Sequence, residues 1–435
     1  MAADDVDEAG SPLTKPRSES EHRARRRPRL WVVGTAAVVV ALVIGTGVVF
    51  LIEKGSSPPT WLLLEKNVAD CHSGASLTGP PCALETMSLS GGSTRAIPID
   101  PDANQLLYQQ ANYYAVGHHV LVVPIGPDTL NTNLASPQLP VTMGVTGLDV
   151  LDLRTGAWTQ VSLSEASTIN AGTSDFTGEM MLDPAEDAVA IDTGKGSDIA
   201  IVSLATGSVR QLSPSVANVD LIVWLSDGVH VVADCPGASS WGSTGTGPCG
   251  YAVDPSSGAA SRRPAEDVTD TGRWPQIVAS PDGTHEAVVP VSSGSDVPSR
   301  EVLAGTAGSS LRTVYTGPSG DFSSVLAVGD GGSVLVGLLF HSAEGPTGLG
   351  LKELLVASGN LTTVATPAGG WGDGSAASCA WGAASSVDSP FSLPAGGFVE
   401  EGPSGRVVRV SPDGSTTTIA TVPAPQTTAL CGLVW

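Results

Sequence analysis

Residues 219–235 read VDLIVWLSDGVHVVADC, and residues 249–264 read CGYAVDPSSGAASRRP. Each stretch contains two runs of strand-forming residues joined by a tight turn that includes glycine. A loop that begins at Cys235 and ends at Cys249 connects the two stretches. The pattern predicts a unit of four antiparallel strands, each paired with the next strand along the chain.

The second hairpin of this unit recurs along the chain. Equivalent stretches have their turn glycines at Gly92, Gly156, Gly207, Gly258, Gly308, Gly359 and Gly414. Successive spacings are 64, 51, 51, 50, 51 and 55 residues. A period near 51 residues with four strands per repeat is typical of a β-propeller, because a single blade buries its faces only against its neighbours. We therefore expect an all-β, seven-bladed β-propeller over residues 61–435, with six or eight blades as alternatives.

The first repeat lacks an innermost strand of its own. It begins at WLLLEKNVADC (61–71), which corresponds to a second strand. The stretch GLVW (432–435) resembles LIVW (221–224), the innermost strand of the fourth repeat. We therefore expect the last residues of the sequence to complete the first blade and so remove its open edge. The longer first spacing assigns about 13 extra residues to the loop 125–147 of the second blade, a place where binding sites often lie.

The cysteines form an even set on one side of an apolar segment. VADCHSGASLTGPPC (68–82) repeats the plan of VADCPGASSWGSTGTGPC (232–249), so we expect each loop to be closed by its own disulfide. The remaining two, Cys379 and Cys431, would then pair beside the closing strand, with Cys431 on that strand and the stretch around Cys379 as the innermost strand of the neighbouring, last blade. This reading indicates an oxidising compartment, whereas zinc is disfavoured because the chain has no CxxC or HxxxH spacing. The six residues are Cys71, Cys82, Cys235, Cys249, Cys379 and Cys431.

The apolar segment LWVVGTAAVVVALVIGTGVVFLI (30–52) contains 23 residues and no charge. A helix of this length reaches about 35 Å, enough to cross a bilayer core of about 30 Å. Five arginines lie between residues 23 and 29, so the positive-inside rule predicts a cytoplasmic tail (1–29), a membrane helix (30–52), a linker (53–60) and a propeller outside the cell membrane. A cleaved signal peptide is the alternative, but its apolar region would be shorter.

The net negative charge of the chain excludes some classes of binding partner. Residues 1–29 carry six acids and seven bases, which leaves 37 acids and 14 bases, a net charge of about −23, in the rest of the chain. Such a field argues against nucleic acid and favours cationic ligands or metal ions. The scarcity of lysine beside abundant Ala, Gly, Val and Arg is typical of a high-GC bacterium such as an actinomycete.

SPDG at 280–283, followed by THEAVVPV, and the hairpins DLRTG (152–156) and SLATG (203–207) resemble TolB-like and related bacterial extracytoplasmic β-propellers. The resemblance covers about residues 61–435. It implies the propeller architecture and a location outside the cytoplasm, but it implies no activity, since one fold supports many functions.

No catalytic set is evident in the sequence. The chain has no GxSxG elbow, and the single GxGxxG match, GTGPCG (245–250), lies in a cysteine loop with no helix after it. The histidines are His72, His118, His119, His230, His285 and His341 beyond the apolar segment, and turn or structural roles explain them. Asp192 and Asp198 in DTGKGSD are spaced loosely like a calcium loop, although a hairpin turn explains them as well. Apart from this calcium candidate we expect no cofactor.

These observations favour a membrane-anchored propeller outside the cell that binds a protein, a peptide or a small ligand. The alternative is a propeller enzyme, a hydrolase or lyase, whose site lies at the mouth of the central channel. Channel residues come from distant inner strands, so a linear motif would not reveal such a site.

Overall fold

The computed structural model describes the following residues, all of them after residue 58: 59–66, 83–89, 92–97, 115–125, 143–145, 147–163, 169–171, 180–193, 198–236, 248–268, 274–291, 300–317, 322–341, 349–358, 360–365, 391–401, 405–413, 415–422 and 428–435. The predicted tail and apolar segment, and most of the linker, lie outside these ranges. Within the described ranges, no helix has the length and apolar character that a membrane crossing requires.

The fold is an all-β propeller, and the described residues form seven four-stranded antiparallel sheets. We number the sheets along the chain and give their strands from first to fourth in the order of pairing. Sheet 1 contains β30 (Thr428–Val434), β1 (Trp61–Lys66), β2 (Ala83–Ser88) and β3 (Thr94–Ile97). Sheet 2 contains β4 (Ala115–Val116), β5 (Val120–Ile125), β7 (Gly147–Asp152) and β8 (Ala157–Ser162). Sheet 3 contains β10 (Met180–Leu182), β11 (Ala188–Asp192), β12 (Ile199–Ser203) and β13 (Val209–Leu212).

The other four sheets follow the same plan. Sheet 4 contains β14 (Asp220–Leu225), β15 (Gly228–Ala233), β16 (Cys249–Val253) and β17 (Ala260–Arg262). Sheet 5 contains β18 (Gln276–Ala279), β19 (His285–Val289), β20 (Glu301–Thr306) and β21 (Arg312–Thr316). Sheet 6 contains β22 (Phe322–Val328), β23 (Val334–His341), β24 (Leu349–Ser358) and β25 (Asn360–Ala365). Sheet 7 contains β26 (Phe391–Ser392), β27 (Phe398–Glu401), β28 (Arg406–Val410) and β29 (Thr416–Thr421).

Two shorter elements complete the described structure. β6 (Met143–Val145) pairs with β9 (Ile169–Ala171) in a small separate sheet, so part of the long loop predicted in the second repeat is ordered as a strand. A 3-10 helix, Pro264–Glu266, follows the fourth strand of sheet 4.

Burial within a sheet explains the residue pattern of its strands. The second and third strands are buried on both faces, as in β15, where all six residues are buried. Fourth strands such as β8 and β13 carry exposed polar residues, because only part of their surface is covered. The strand-forming Val, Leu and Ala residues therefore concentrate in the middle of each sheet.

The outer hairpins have the turn chemistry that their repeated glycine predicts. Gly156, Gly207, Gly258 and Gly308 all have φ between 66° and 78°. A side chain at Gly207 would also overlap the carbonyl oxygen of Ser162 in sheet 2. In DLRTG, the Asp152 carboxylate accepts hydrogen bonds from the amides of Arg154 and Thr155 at 2.8 and 3.0 Å. The backbone conformation thus requires Gly in these turns, and at Gly207 close contact with the preceding sheet requires it as well.

β30 and β1 are antiparallel partners, with Leu62 opposite Leu433 and Trp61 opposite Val434. Residues from opposite ends of the described chain therefore form neighbouring strands of sheet 1. The register shifts between Leu63 and Leu64, where Cys431 forms a bulge. Cys431 is disulfide-bonded, and its partner lies outside the described residues.

Consecutive sheets pack through apolar clusters at six of their contacts: sheets 1 and 2, 2 and 3, 3 and 4, 5 and 6, 6 and 7, and 7 and 1. Among the described residues, sheets 4 and 5 share no such cluster, and charged side chains fill their contact instead. We call this contact the 4–5 seam. It is built from residues of β15, β19, the 3-10 helix and the turn before β15.

One strand placement expected from the sequence is wrong. The stretch around Cys379 was expected to form the innermost strand of the last blade, but the first strand of sheet 7 is β26, Phe391–Ser392. Phe391 pairs with Val399, and this register assigns that place to the two-residue strand β26 rather than to the cysteine stretch. Cys379 itself lies outside the described residues.

Candidate functional site

The turns between first and second strands lie side by side and form one surface, which we call the inner-turn face. The amide of Ser226 in sheet 4 donates to the carbonyl of Gly283 in sheet 5 at 2.9 Å. The amide of Asp282 donates to the Asp330 carboxylate at 3.1 Å, and the amide of Asp330 donates to the carbonyl of Pro394 at 3.0 Å. Backbone contacts thus connect these turns of sheets 4 to 7. The turns are residues 117–119, 183–187, 226–227, 280–284, 329–333 and 393–397.

Glu186 joins the turns of sheets 2 and 3. Its backbone is left-handed, with φ of 57°, and its buried carboxylate accepts hydrogen bonds from the amides of His118, His119 and Val120 at 2.5, 2.9 and 3.0 Å. A Cβ atom at position 117 would lie 2.5 Å from the Glu186 side chain, so only glycine fits there. Burial opposes the ionised form, but hydrogen bonds from His119 and His118 and their charges lower the pKa of Glu186. This carboxylate therefore has a structural role.

Asp183 begins the same turn of sheet 3. Its Oδ1 atom accepts hydrogen bonds from the amides of Asp187 and Ala188 at 2.7 and 2.8 Å. Burial raises the pKa of Asp183, and these backbone donors only partly offset the effect. The side chain therefore lies in a place where its negative charge is poorly compensated.

His118 lies on the inner-turn face beside the last residue of the sequence. Its ring stacks on Trp435 with centroids 3.7 Å apart, and its Nδ1 atom lies 3.4 Å from the carbonyl oxygen of Leu433. Burial lowers the pKa of His118 and outweighs the opposing charge of Glu186. The imidazole is therefore neutral at pH 7. Because a carbonyl oxygen only accepts, Nδ1 carries the proton, and Nε2 is left as a hydrogen-bond acceptor.

These turns surround an open depression of about 140 Å³. Its wall combines apolar side chains with His118 and Asp183, and none of its described lining residues is a lysine or an arginine. The half-buried Trp224 of β14 is the largest side chain among the described residues that line the depression. Such a depression can bind a small group that offers a hydrogen-bond donor and an apolar body. The lining residues are Val116, Gly117, His118, Leu182, Asp183, Pro184, Glu186, Trp224, Ala279, Ser280, Pro281 and Gly283.

The 4–5 seam is the second cluster of chemically active side chains. The fully buried His230 of β15 has Nδ1 3.1 Å from both carboxylate oxygens of Glu266 and Nε2 3.0 Å from Asp227 Oδ1. Arg263 donates from Nε to Glu266 at 2.9 Å and from Nη2 to Glu286 of β19. The seam is a chain of alternating charges that crosses from sheet 4 to sheet 5.

The pKa values of the seam follow from this arrangement. Burial alone would lower the pKa of His230, but its hydrogen bonds to Asp227 and Glu266, with the negative charges of Glu266 and Glu286, raise it to about 9. Burial raises the pKa of Glu286 despite the nearby positive charges of His230 and Arg263. His230 is therefore an imidazolium at neutral pH, with both nitrogens donating to carboxylates.

His230, Glu266 and Glu286 offer ligand atoms within 4.8 Å of one another, a spacing compatible with a metal ion. However, both nitrogens of His230 bear protons directed at carboxylates, so neither offers a lone pair to a metal. Arg263 also bridges the two glutamates and brings a positive charge to the same place. The donor set fits an ion-pair network better than a metal centre.

Asp192 and Asp198, the calcium candidates, end β11 and precede β12. Asp198 Oδ1 accepts a hydrogen bond from the Ser213 hydroxyl at 2.7 Å. Asp192 lies close enough to Asp220 for its charge, together with burial, to raise the pKa of Asp220 to about 6. Residues 194–197 between the two aspartates lie outside the described part, so a calcium ion here stays a prediction.

The disulfide predicted between Cys235 and Cys249 is present, with Cα atoms 5.0 Å apart. Cys71, Cys82 and Cys379 lie outside the described residues, so their pairings stay predictions. Since Cys235 and Cys249 are joined to each other, the partner of Cys431 is one of these three cysteines.

Sequence reasoning assigned His118, His119 and His230 to turn or structural roles and did not identify the residues that they contact. Glu186, Glu266 and Trp224 were missed. The sequence contains a signal at the seam, because His230 and Glu286 interrupt otherwise apolar strands, GVHVVA and HEAVV. A charged residue in such a strand indicates a buried polar partner, although it does not say which one.

Comparison with known proteins returns distant similarities to solved structures. No protein-family model and no curated protein matches the chain. The chain is similar to a putative 6-phosphogluconolactonase from Bacteroides uniformis, at 12% identity over 86% of this chain and 99% of that chain, with a TM-score of 0.43. It is also similar to TolB from Acinetobacter baumannii, at 12% identity over 69% of this chain and 61% of that one, with a TM-score of 0.35. A putative TolB from Agrobacterium tumefaciens matches at 14% identity over 78% and 96%, with a TM-score of 0.35.

Proposed function

We propose that this protein is a seven-bladed β-propeller that binds a small ligand, or a side chain of a peptide or protein, at the inner-turn face. The observation that carries the proposal is the depression of about 140 Å³ between Trp224, His118 and Asp183. Turns from sheets 2, 3 and 5 and a strand of sheet 4 contribute to it, as expected for a ligand site on a rigid scaffold. The apolar contacts between successive sheets, from sheet 7 back to sheet 1, support seven blades.

The chemistry of the depression favours binding over catalysis. Glu186 is held by three backbone amides, and Asp183 accepts two. Carboxylates used in this way are poorly placed to exchange protons with a substrate. His118 offers a neutral Nε2, which suits recognition of a donor group.

Ligand-observed NMR with the full-length chain tests the proposal. Small fragments with an apolar body and one donor should show saturation transfer, and Trp224→Ala should abolish it because the main apolar surface is lost. Trp274→Ala is the matched control, since Trp274 is 45% exposed and lies just before β18 at the opposite end of that strand. Signals that respond equally to both substitutions, or no signal for any fragment, would count against a site at this place.

An enzyme remains the second candidate because of Asp220. Burial and the charge of Asp192 raise the pKa of Asp220 to about 6, and a carboxyl group of this kind beside a second acid suits general acid–base work. Both residues lie at the ends of their strands opposite to the inner-turn face. Hydrolysis of chromogenic glycosides, esters or lactones that is lost in Asp220→Asn and retained in Trp224→Ala would favour this reading over binding.

We further propose that residues 30–52 anchor the propeller outside the cell membrane, with residues 1–29 in the cytoplasm. The 23 uncharged residues and the preceding arginines support this topology. In a membrane fractionation the full chain should remain in the membrane pellet after carbonate washing, and deletion of 30–52 should release it. External protease should digest the propeller of intact spheroplasts and leave the tail. Recovery of the full chain in the soluble fraction would contradict the anchor.

A further inference from the structure

The charge around the depression is one-sided. Asp183 and Glu186 both line it, and the part of its wall that the structure describes includes neither lysine nor arginine. Beyond residue 29 the chain carries a net charge of about −23. An anionic ligand would therefore be repelled both at long range and on contact, whereas a cation would be attracted.

The polar atoms of the wall also select the kind of cation. Asp183 is a carboxylate whose charge is poorly compensated, since burial raises its pKa. The Nε2 atom of His118 is an acceptor. Trp224 adds an indole ring, whose face attracts cations. Acceptors and an aromatic face together fit a group that donates several hydrogen bonds and carries a positive charge, as a primary ammonium does.

The volume limits the rest of the ligand. A cavity of about 150 Å³ holds a molecule the size of benzene, so the depression of about 140 Å³ has room for about six non-hydrogen atoms. Leu182, Pro184 and Pro281 supply apolar surface for an alkyl chain. The space corresponds to a four-carbon chain with one terminal nitrogen.

We propose that the depression binds a primary ammonium group on a short alkyl chain, either as a free amine or as the lysine side chain of another protein. This inference rests on the proposed binding function and names the ligand class of the same site. Asp183 and His118 would accept from the ammonium, and Trp224 would cover the methylene groups.

The test measures binding of n-butylammonium and of n-butanol, its neutral counterpart, to the full-length chain by isothermal titration and NMR. Butylammonium should bind about tenfold more tightly, as a charged donor does beside a carboxylate. The preference should decrease as salt is added, because exposed charges are screened. Asp183→Asn retains an oxygen for the two backbone amides, so it should abolish the preference and leave butanol binding unchanged. Trp274→Ala should change neither affinity.

A third probe, the peptide acetyl-Gly-Lys-Gly-amide, distinguishes the two sources of the ammonium. Tighter binding of the peptide than of butylammonium supports a lysine side chain, and binding of butylammonium alone supports a free amine. Equal affinity for butanol and butylammonium would overturn the ligand class while leaving a site that depends on Trp224. If Trp224→Ala affects no fragment and neither probe binds, the binding function itself is wrong.

Discussion

The imidazole of His230 faces both carboxylate oxygens of Glu266 at 3.1 Å, in a place where neither residue reaches solvent. Every other contact between consecutive sheets has an apolar cluster among the described residues. The 4–5 seam therefore depends on charge where its counterparts depend on apolar burial. Because a buried charge without its partner is costly, the seam should respond to pH and to substitution more strongly than the other contacts.

His230→Gln should lower the free energy of unfolding by about 3–5 kcal/mol at pH 6, since it removes the positive partner of Asp227 and leaves the buried Glu266 paired with Arg263 alone. The raised pKa of about 9 means that the imidazolium contributes its full stability below about pH 6.5 and loses it as the pH rises through 9. The difference in the free energy of unfolding between the wild type and His230→Gln should therefore be smaller at pH 10 than at pH 6. Denaturant unfolding at the two pH values measures it. His285→Gln is the control, since His285 begins β19 of sheet 5. A difference in unfolding free energy that does not depend on pH would contradict a charged His230.

Glu401→Gln should stabilise the protein at pH 8. Burial raises the pKa of Glu401 to about 7, although its Oε2 atom accepts from the amide of Leu430 at 3.0 Å. Because the folded state favours the protonated acid, its stability is greatest below the ordinary pKa of 4.5 and falls as the pH rises to about 7. A neutral amide avoids this loss and should raise Tm by about 2–4 °C at pH 8 but not at pH 4. Scanning calorimetry measures Tm at both pH values, and Glu301→Gln, at an exposed position, is the control that should not change Tm at either pH. An equal gain in Tm for Glu401→Gln at pH 4 and pH 8 would show that the charge of Glu401 is not the cause.

Gly117→Ala should destabilise the inner-turn face, because its Cβ atom would lie 2.5 Å from the Glu186 side chain. Glu186→Ala should also destabilise it by leaving the amides of residues 118–120 without their acceptor. In a double-mutant cycle, the alanine at 117 should cost about 1–3 kcal/mol in the wild type and much less when Glu186 is already alanine. Additive losses in urea unfolding would show that the two residues do not interact as described.

The full-length protein from an oxidising compartment should contain three disulfides. Peptide mapping without reduction should recover the pairs 71–82, 235–249 and 379–431. Opening the loop between Cys235 and Cys249 by double substitution to serine should cost about 3 kcal/mol in the chain-entropy model, as the loop is about 15 residues long. Recovery of Cys431 linked to Cys71 or Cys82 would contradict the predicted disulfide between Cys379 and Cys431.

Local turn chemistry was predictable because short-range interactions decide it. Glycine recurs at the outer hairpin turns because the turn requires a left-handed φ. Gly156 and Gly258 have this conformation, with φ of 73° and 74°. The likeness of 432–435 to 221–224 led us to expect the last residues beside the first strand, and the structure pairs Leu433 with Leu62. The stretch at Cys379 was misplaced because the two-residue strand Phe391–Ser392 forms the strand at that position.

The depression and the seam were not predictable, because each combines residues that the propeller brings together from distant places. Glu186 binds an amide 68 residues away, and Arg263 pairs with a glutamate 23 residues further along. A single sequence shows that His230 interrupts an apolar strand, but it does not show which carboxylates face it. The chemistry of both sites therefore depends on tertiary contacts that leave no motif.

The pairing of β30 with β1 also sets an order of events during synthesis. Residues 428–434 follow every other described strand, so Trp61–Lys66 cannot acquire its neighbour on that side until residue 434 has left the ribosome. Until then, a nascent chain with its other sheets already formed exposes an unpaired strand edge, which can pair with another chain. Termination before residue 428 would leave this edge exposed permanently. Deletion of residues 426–435 should therefore cause aggregation of the protein.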